Sequence, residues 1–253
     1  MEVFNPFSLQ GKQILVTGAS SGIGKAIAIA CAKMGATVIA TARNEQRLAN
    51  TISQMPEGDH KAIKADLTSQ EDIDTLVTEL PKLDGLVQCA GVGSRVLCKM
   101  LDQNAIDHVI KPNLESPILL QTSILAKKKI NKAASIVYIA SKAAEYPSVG
   151  NAIYSASKGA IISYAKCLAV ELAPRQIRVN CICPAMIWTE LILQGGLTKE
   201  EMEEAQLRYP LKRYGQPEDV ANLALYLLSD AAHRRACCVR CWHLLHAVSG
   251  PEW

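Results

Sequence analysis

The sequence lacks the features that mark membrane-spanning, secreted and nucleic-acid-binding proteins. Its apolar runs all fall short of the roughly 18 residues that a membrane helix needs, and residues 1–12 hold no basic segment followed by an apolar core. Lys and Arg total 27 against 24 Asp and Glu, a formal net charge of +3, which is too balanced to indicate a nucleic-acid partner. We therefore expect a cytoplasmic protein without a membrane or nucleic-acid partner.

Paired cysteines, internal repeats and low-complexity linkers are also missing. The nine cysteines are an odd number, and most stand alone within apolar segments, so we expect reduced thiols rather than a disulfide framework. With 253 residues and no linker, residues 1–230 are predicted to form a single domain with one large core.

Strand and helix patterns alternate along the chain. Apolar, β-branched runs predict strands, and apolar residues at helical spacing predict helices between them. This alternation indicates an α/β fold, a doubly wound parallel sheet with helices on both faces. The strands are predicted at residues 13–17, 37–41, 61–65, 83–88, 135–140 and 177–182, and the helices at 25–34, from about 45, from about 69, and at 101–110, 114–130, 152–173, 198–206 and 217–228. Pro112 and Pro117 are expected to interrupt the middle helices, and Gly195 and Gly196 to mark a loop.

A glycine-rich turn separates the first strand from the first helix. Glycines permit positive φ angles and close backbone approach, while the N–H groups at the start of the helix attract a pyrophosphate. The segment therefore predicts a dinucleotide site, although a simple tight turn is the alternative. The residues concerned are Gly18, Ser20, Ser21, Gly22, Ile23 and Gly24.

Tyr154 and Lys158 lie four residues apart in a predicted helix, which places a phenol and an ammonium on one face. A fixed positive charge favours the ionised phenol, and this makes Tyr154 a candidate general acid and base. The pair alone is a common pattern on helix faces. Ser141 strengthens the interpretation, because it follows a predicted strand at the edge of the sheet where ligands bind.

These motifs together resemble the short-chain dehydrogenase/reductase family, and in particular its 3-oxoacyl-thioester (acyl-carrier-protein) reductases. The resemblance covers residues 9–230 and implies a Rossmann-like three-layer sandwich, a nicotinamide cofactor, a small-molecule substrate and a homo-oligomer, either a dimer or a tetramer. It rests on Thr-Gly-x-x-x-Gly-x-Gly at residues 17–24, Asp66, Cys89-Ala90-Gly91, Asn113, Ser141, Tyr154 and Lys158 in this order and spacing.

The resemblance assigns a role to each of four residues. Tyr154 would supply the proton for a substrate oxygen, and Ser141 would hydrogen-bond the same oxygen. Lys158 would assist the phenol and bind the nicotinamide ribose, and Asn113 would anchor a water that leads from Lys158 to solvent. The alternatives are a strand-end hydroxyl for Ser141, a helix cap for Asn113 and a solvated lysine for Lys158.

Charge after the second strand predicts the type of cofactor. No carboxylate stands in Thr41-Ala42-Arg43 to repel a 2′-phosphate, and Arg43 can pair with one, so NADP(H) is expected, with NAD as the alternative. Arg43 could equally be a plain surface arginine.

The resemblance places further residues around the dinucleotide. Asp66 would hold the adenine amino group with Leu67 beside it, and the backbone of Ala90 and Gly91 would pass close to the ribose. The alternative for Asp66 is a helix N-cap. Cys89 stands where the family usually has Asn.

The segment at residues 183–189 resembles the family's Pro-Gly stretch beside the nicotinamide. Pro184 would line the ring, and the Ile187 backbone and the Thr189 hydroxyl would hold the carboxamide. Ala185 replaces the usual glycine, so a positive φ angle would be costly there.

Substrate recognition is expected at residues 93–100, 146–151 and 188–209, and the last of these segments lies within a substrate loop at residues 186–210. Their apolar side chains favour a 3-oxoacyl thioester or a hydrophobic ketone over a sugar. An alcohol or sugar dehydrogenase, and a dinucleotide-binding sensor or scaffold without turnover, are the alternatives. The apolar residues are Val96, Leu97, Met100, Tyr146, Val149, Trp188, Leu191 and Ile192.

Residues 231–253 do not fit the family's pattern. A seventh strand is expected there, but no alternating strand pattern is present, so the last strand is predicted to be absent or improvised, leaving an exposed sheet edge. A shifted reading frame would explain this sequence. The alternative, a metal site, is not predicted, because the paired spacing of a zinc site is missing from Cys237, Cys238, Cys241, His243 and His246.

Overall fold

A parallel sheet with helices on both faces forms the protein. The computed structural model describes residues 5–193, 198–232 and 241–244. In these ranges the sheet has seven strands in the order β3-β2-β1-β4-β5-β6-β7, all parallel to their neighbours. The strands are β1 (Gln13–Thr17), β2 (Thr37–Ala42), β3 (Lys61–Lys64), β4 (Leu83–Gln88), β5 (Ile130–Ile139), β6 (Arg178–Pro184) and β7 (Cys241–Leu244).

Helices follow the strands along the chain. They are α1 (Gly22–Lys33), α2 (Glu45–Ile52), α3 (Gln70–Glu79), α4 (Gln103–Ile110), α5 (Ser116–Ala126), α6 (Ala152–Leu172), α7 (Glu190–Leu193), α8 (Lys199–Gln206) and α9 (Pro217–Leu228). The doubly wound α/β sandwich predicted from the sequence is confirmed. No helix among the described residues combines the length and the apolarity that crossing a membrane requires. The predicted loop at Gly195 and Gly196 lies outside the described residues.

Two buried clusters, one on each face of the sheet, make the core. Side chains of α3, α5 and α6 pack on one face, and those of α1, α2 and α9 pack on the other. The strands β1, β2, β4 and β6 are buried along almost their whole length, which explains their nearly continuous apolar sequences, whereas β3 is largely exposed. The two layers hold the sheet rigid, so the loops at its carboxyl edge start from fixed positions.

The middle helical segment differs from the prediction. Pro112 and Pro117 were expected to break it, but helical structure runs from Gln103 to Ala126 through a π-helical turn at Lys111–Glu115. The carbonyl of Lys111 accepts hydrogen bonds from both the N–H and the hydroxyl of Ser116, the latter at 2.8 Å. The wider turn accommodates residues that lack an N–H, which is why the prolines do not end the helix.

The end of the sheet also corrects a prediction. The last strand was predicted to be absent or improvised, yet residues 241–244 pair in parallel with β6, from Cys181 with Cys241 to Pro184 with Leu244. Pairing between strands uses backbone N–H and C=O groups, so it does not require an alternating pattern of side chains. The edge of β6 is therefore covered from Cys181 to Pro184, but this register does not reach Arg178, Val179 and Asn180. Cys237, Cys238 and His246 lie outside the described residues.

A buried arginine joins β6 to the last turn of α9. Arg178 is 6% exposed, and its guanidinium donates to the carbonyl oxygens of Leu227 at 2.5 Å and of Ser229 at 3.2 Å. The hydroxyl of Ser135 on β5 also donates to Leu227, at 2.8 Å. Carbonyl groups at a helix end lack hydrogen-bond donors within the helix. Here the side chains of Ser135 and Arg178, on two neighbouring strands, are the donors.

Candidate active site

A cavity of about 420 Å³ opens at the carboxyl edge of the sheet. It lies where the order of strands reverses between β1 and β4, which is where open α/β sheets bind ligands. The structure brings together all the predicted site residues except Asn113, which lies behind the wall. Those that line the cavity are Gly18, Ser20, Ser21, Gly22, Ile23, Gly24, Arg43, Asp66, Leu67, Ala90, Gly91, Ser141, Tyr154, Lys158, Pro184, Ile187 and Thr189.

The glycine turn forms one wall and leaves no room for a side chain at Gly18 or Gly24. Gly18 has φ +66°, and a Cβ added to it would lie 2.9 Å from the Cα of Ala90. A Cβ added to Gly24 would clash with the carbonyl oxygen of Gly18. Helix α1 begins at Gly22, so its first N–H groups face the cavity, where they can bind an anionic pyrophosphate.

Hydrogen bonds to the side chain of Thr17 link this turn to the loop that follows β4. The Thr17 hydroxyl oxygen accepts hydrogen bonds from the N–H groups of Cys89 and Ala90, both at 3.0 Å. Burial raises the pKa of the Cys89 thiol to about 12, although the charge of Lys158 acts in the opposite direction. The thiol therefore stays protonated at neutral pH, and the backbone of this loop, rather than the Cys89 side chain, holds the loop to β1.

Asp66 and Arg43 stand at the far end of the cavity, beyond β2 and β3. Asp66 accepts hydrogen bonds from the N–H and the hydroxyl of Thr68, at 3.0 and 2.8 Å. Burial acts to raise the pKa of Asp66, but these two hydrogen bonds and the charge of Arg43 outweigh it and hold the pKa below its usual value. The alternative role of Asp66 as N-cap is wrong, since Ser69 caps α3 by accepting from the Asp72 N–H.

Tyr154, Lys158 and Ser141 meet at the other end. Lys158 is 7% exposed, and its ammonium donates to the carbonyl of Ile139 at 2.9 Å and lies 5.8 Å from the centre of the Tyr154 ring. The solvated alternative for Lys158 is therefore wrong. Ser141 lies two residues after the end of β5, and its oxygen accepts the N–H of Ala143 at 3.1 Å. The hydroxyl proton of Ser141 can then point to a ligand.

Asn113 lies in the π-helical turn, and its side chain holds Val92, a residue that lines the cavity. Its Oδ1 accepts from the N–H of Val92 at 2.8 Å, and its Nδ2 donates to the Val92 carbonyl at 3.0 Å and to the Ser157 hydroxyl at 3.3 Å. It is 2% exposed and is not a helix cap, so that alternative is wrong. The sequence did not reveal the contact with Val92, because it joins residues 21 positions apart through backbone groups.

The wall opposite the glycine turn comes from the segment after β6. Ile187 forms an isolated parallel bridge with Gly215, and a Cβ added to Gly22 would lie 3.2 Å from the Thr189 methyl carbon. Ala185 is not among the described residues with positive φ, so the strain considered for a residue that replaces glycine does not arise.

The three segments predicted for substrate recognition converge at the mouth. A Cβ added to Gly93 would lie 3.4 Å from Leu191, and the Val96 N–H donates to the Gly150 carbonyl at 2.8 Å. Of the predicted apolar residues, Leu191 and Ile192 line the cavity, whereas the others do not, namely Val96, Leu97, Met100, Tyr146, Val149 and Trp188. The indole of Trp188 turns away and donates to Gln206 at 3.1 Å, so this part of the prediction is corrected.

Two charged residues that line the cavity were not predicted from the sequence. Arg47 in α2 and Glu190 at the start of α7 form an ion pair, although they stand 143 positions apart. Among the described side chains, no group of three or more His, Cys, Asp and Glu residues is arranged to hold a metal ion. The cavity is thus suited to an anionic organic ligand with phenol, hydroxyl and ammonium groups at one end.

This combination defines an α/β dinucleotide-binding oxidoreductase. A family model described as Enoyl-(Acyl carrier protein) reductase matches residues 18–235. The L-xylulose reductase of Caenorhabditis elegans is 34% identical over 232 residues, which are 89% of this chain and 92% of that protein. The 3-oxoacyl-[acyl-carrier-protein] reductase FabG of Rickettsia felis is 35% identical over 224 residues, with 88% and 92% covered.

A solved structure agrees in fold over nearly the whole chain. It is described as a candidate NAD(P)-dependent gluconate 5-dehydrogenase from Beutenbergia cavernae with bound NADP at low occupancy. Its TM-score is 0.83 at 31% identity, covering 94% of this chain and 97% of that one. The chain belongs to the short-chain dehydrogenase/reductase family. It is an oxidoreductase that transfers hydride between a nicotinamide cofactor and a carbonyl or alcohol.

Proposed function

We propose that the protein is an NADP(H)-dependent reductase of a 3-oxoacyl thioester or another hydrophobic ketone. The convergence of Ser141, Tyr154 and Lys158 at one end of the cavity carries this proposal, with Arg43 at the other end. A dinucleotide that lies between the two ends would have its pyrophosphate against the start of α1 and its nicotinamide beside the three catalytic side chains.

The chain's own residues would handle the proton in this reaction. The bound nicotinamide supplies the hydride to the carbonyl carbon, and the substrate oxygen must gain a proton. Ser141, whose oxygen already accepts the Ala143 N–H, donates its hydroxyl proton as a hydrogen bond to the substrate oxygen. Tyr154 gives its phenolic proton to that oxygen, and the nearby ammonium of Lys158 stabilises the phenolate that remains.

Lys158 and Asn113 would return the proton to Tyr154. The Ile139 carbonyl orients the ammonium of Lys158, whose other N–H groups remain for the ribose and for a water. The side-chain amide of Asn113 is occupied by Val92, so we place this water at the Asn113 backbone carbonyl. Pro117, four residues further on, has no N–H to form the usual helical hydrogen bond with that carbonyl.

Arg43 supports NADP(H) over NAD(H). It is exposed in the cavity beyond β2, where Ala42 leaves no carboxylate to repel a 2′-phosphate. Asp66 would remain ionised near neutral pH, because its pKa is lowered, and it could accept from the adenine amino group. The NADP in the similar Beutenbergia cavernae structure is consistent with this choice.

The mouth of the cavity supports a hydrophobic substrate. Leu191 and Ile192 line the cavity, and apolar lining favours apolar ligands. Four other large apolar side chains of the converging segments, Leu97, Met100, Tyr146 and Val149, are 42% to 69% exposed but do not line the cavity itself. A sugar ketone is the second candidate, because the L-xylulose reductase is similar over most of its length.

The proposal is tested by following NADPH oxidation by the purified protein with matched ketones. The panel pairs a 3-oxoacyl thioester of a short and of a long chain with L-xylulose and with a simple aliphatic ketone. We expect the highest kcat/KM for the long-chain thioester or the most hydrophobic ketone. A preference for the sugar would establish the second candidate. Saturable NADPH binding without turnover of any substrate would instead indicate a sensor or scaffold.

Assembly and location are part of the proposal. We infer a homo-oligomer from the family to which the chain belongs, and Leu119 of α5 and Val170 of α6, which are 44% and 73% exposed, are candidate interface residues. Size-exclusion chromatography with light scattering tests this, and a monomer at every concentration would refute it. A reducing cytoplasm is supported by the thiols of Cys31, Cys98 and Cys167.

A further inference from the structure

The Arg47–Glu190 ion pair crosses the cofactor cavity from one side to the other. Arg47 belongs to α2, which follows β2, and Glu190 begins α7, which follows β6. In the sheet, β2 and β6 are separated by β1, β4 and β5, so the pair spans the strands that carry the glycine turn and the catalytic serine. Both side chains line the cavity.

Both ends of this link are fixed to the walls of the cavity. The Arg47 N–H donates to the Asn44 side chain at 2.9 Å, and its carbonyl accepts from the Thr51 hydroxyl at 3.1 Å. On the other side, Thr189 precedes Glu190 and packs against Gly22 of the glycine turn. The backbones are held in place, so opening the link requires only that the two side chains separate.

We propose that Arg47 and Glu190 are positioning residues that clamp the bound dinucleotide and slow its release. The inference rests on the proposed function, because the dinucleotide must run from Arg43 and Asp66 to Tyr154 and Lys158. Such a molecule passes beneath the ion pair, and it leaves the cavity only after the pair separates. The two side chains are 46% and 59% exposed, so each loss of the pair should speed release by about two- to fivefold.

A direct role for Arg47 predicts a different pattern. If Arg47 bound the 2′-phosphate, as proposed for Arg43, Glu190 would compete with the phosphate for the guanidinium. Removing Glu190 would then tighten the binding of NADPH and leave NADH unchanged. The clamp predicts the opposite sign for Glu190, and it predicts the same effect on both dinucleotides, since the pair lies over their common pyrophosphate.

The test measures dissociation rates of NADPH and NADH from the whole protein by stopped-flow fluorescence. The variants are Arg47→Met, Glu190→Gln, the double variant, and the exchange Arg47→Glu with Glu190→Arg. Lys127→Met is the matched control, because Lys127 forms a similarly exposed ion pair with Asp74 on a different part of the surface. Each measurement is repeated at high salt, which weakens exposed ion pairs.

The clamp predicts that each single variant releases both dinucleotides about two- to fivefold faster, and that the double variant is no faster than either single one. The exchanged pair should restore slow release, high salt should remove the difference from the wild type, and the Lys127 variant should not change. Additive effects, release that is unchanged, or tighter NADPH binding by Glu190→Gln would refute the clamp. Failure of the wild type to bind either dinucleotide would refute the proposed function itself.

Discussion

The side chain of Asn113 pairs with both backbone polar groups of Val92. It accepts from the N–H at 2.8 Å and donates to the carbonyl at 3.0 Å, as a neighbouring strand would. Val92 follows the Cys89-Ala90-Gly91 loop, which lines the cavity, so the π-helical turn that carries Asn113 sets the position of this loop. Asn113 thereby supports the cofactor site as well as the proposed water.

Asn113→Asp tests this support. The aspartate can accept from the Val92 N–H, but it cannot donate to the Val92 carbonyl or to Ser157, and it places a charge beside a buried carbonyl. We expect the free energy of unfolding, measured in urea, to fall by about 1–3 kcal/mol, together with weaker NADPH binding. Asn50→Asp, at an exposed position of α2, should cost no more than about 0.5 kcal/mol. Equal losses in the two variants would contradict the assignment.

Tyr154→Phe separates proton transfer from binding. The ring is kept and the acidic proton is removed, so kcat for ketone reduction should fall by about 100- to 10,000-fold while the NADPH dissociation constant stays unchanged. Tyr164→Phe is the matched control, because Tyr164 is half-buried on the same helix and packs edge-on against Tyr138. Unchanged turnover in the Tyr154 variant would exclude Tyr154 as the acid.

Gly24→Ala and Gly159→Ala should change stability in opposite directions. The added methyl group at Gly24 meets the Gly18 carbonyl, which would force the dinucleotide turn apart. We expect a loss of about 1–3 kcal/mol and little protection by NADPH in thermal melts. At Gly159, inside α6, an added Cβ meets no atom within 4 Å, and alanine should stabilise the helix by about 0.5–1 kcal/mol. Undiminished NADPH protection of the Gly24 variant would argue against the pyrophosphate site.

Arg43→Leu should change the choice of cofactor. A guanidinium hydrogen-bonded to a phosphate contributes about 1.5–3 kcal/mol, so kcat/KM for NADPH should fall by roughly 10- to 100-fold. NADH has no 2′-phosphate and serves as the internal control, with its kcat/KM expected to stay near the wild-type value. An equal loss for both cofactors would mean that Arg43 supports the fold or the adenine rather than the phosphate.

Features that depend on local sequence were predictable. The turn after β1 requires glycine at positions 18 and 24, because a Cβ at either position would clash with backbone atoms. The Tyr154 and Lys158 pair follows from helical spacing. The alternation of apolar runs predicted strand positions within a few residues for most of the sheet. In these segments the local pattern and the tertiary environment require the same residues, so the sequence alone specifies the structure.

Features that depend on backbone partners or distant side chains were not predictable. The Val92 groups that hold Asn113, and the Arg47 and Glu190 pair, join positions far apart without a distinctive residue pattern. Pro112 lies in a π-helical turn within a continuous helical segment, although proline inside an α-helix normally ends or kinks it. The strand at residues 241–244 forms through backbone hydrogen bonds, which carry little information about side chains.

The guanidinium of Arg178 limits local unfolding at the end of α9. Because the guanidinium donates to the carbonyl groups of Leu227 and Ser229 from within the sheet, fraying of the last turn of α9 would leave a buried charge without its hydrogen-bond acceptors. Helix ends usually exchange their amide hydrogens by local opening. In this protein, the amides at the end of α9 should exchange only when the sheet itself unfolds, so the helix end and the sheet form one cooperative unit.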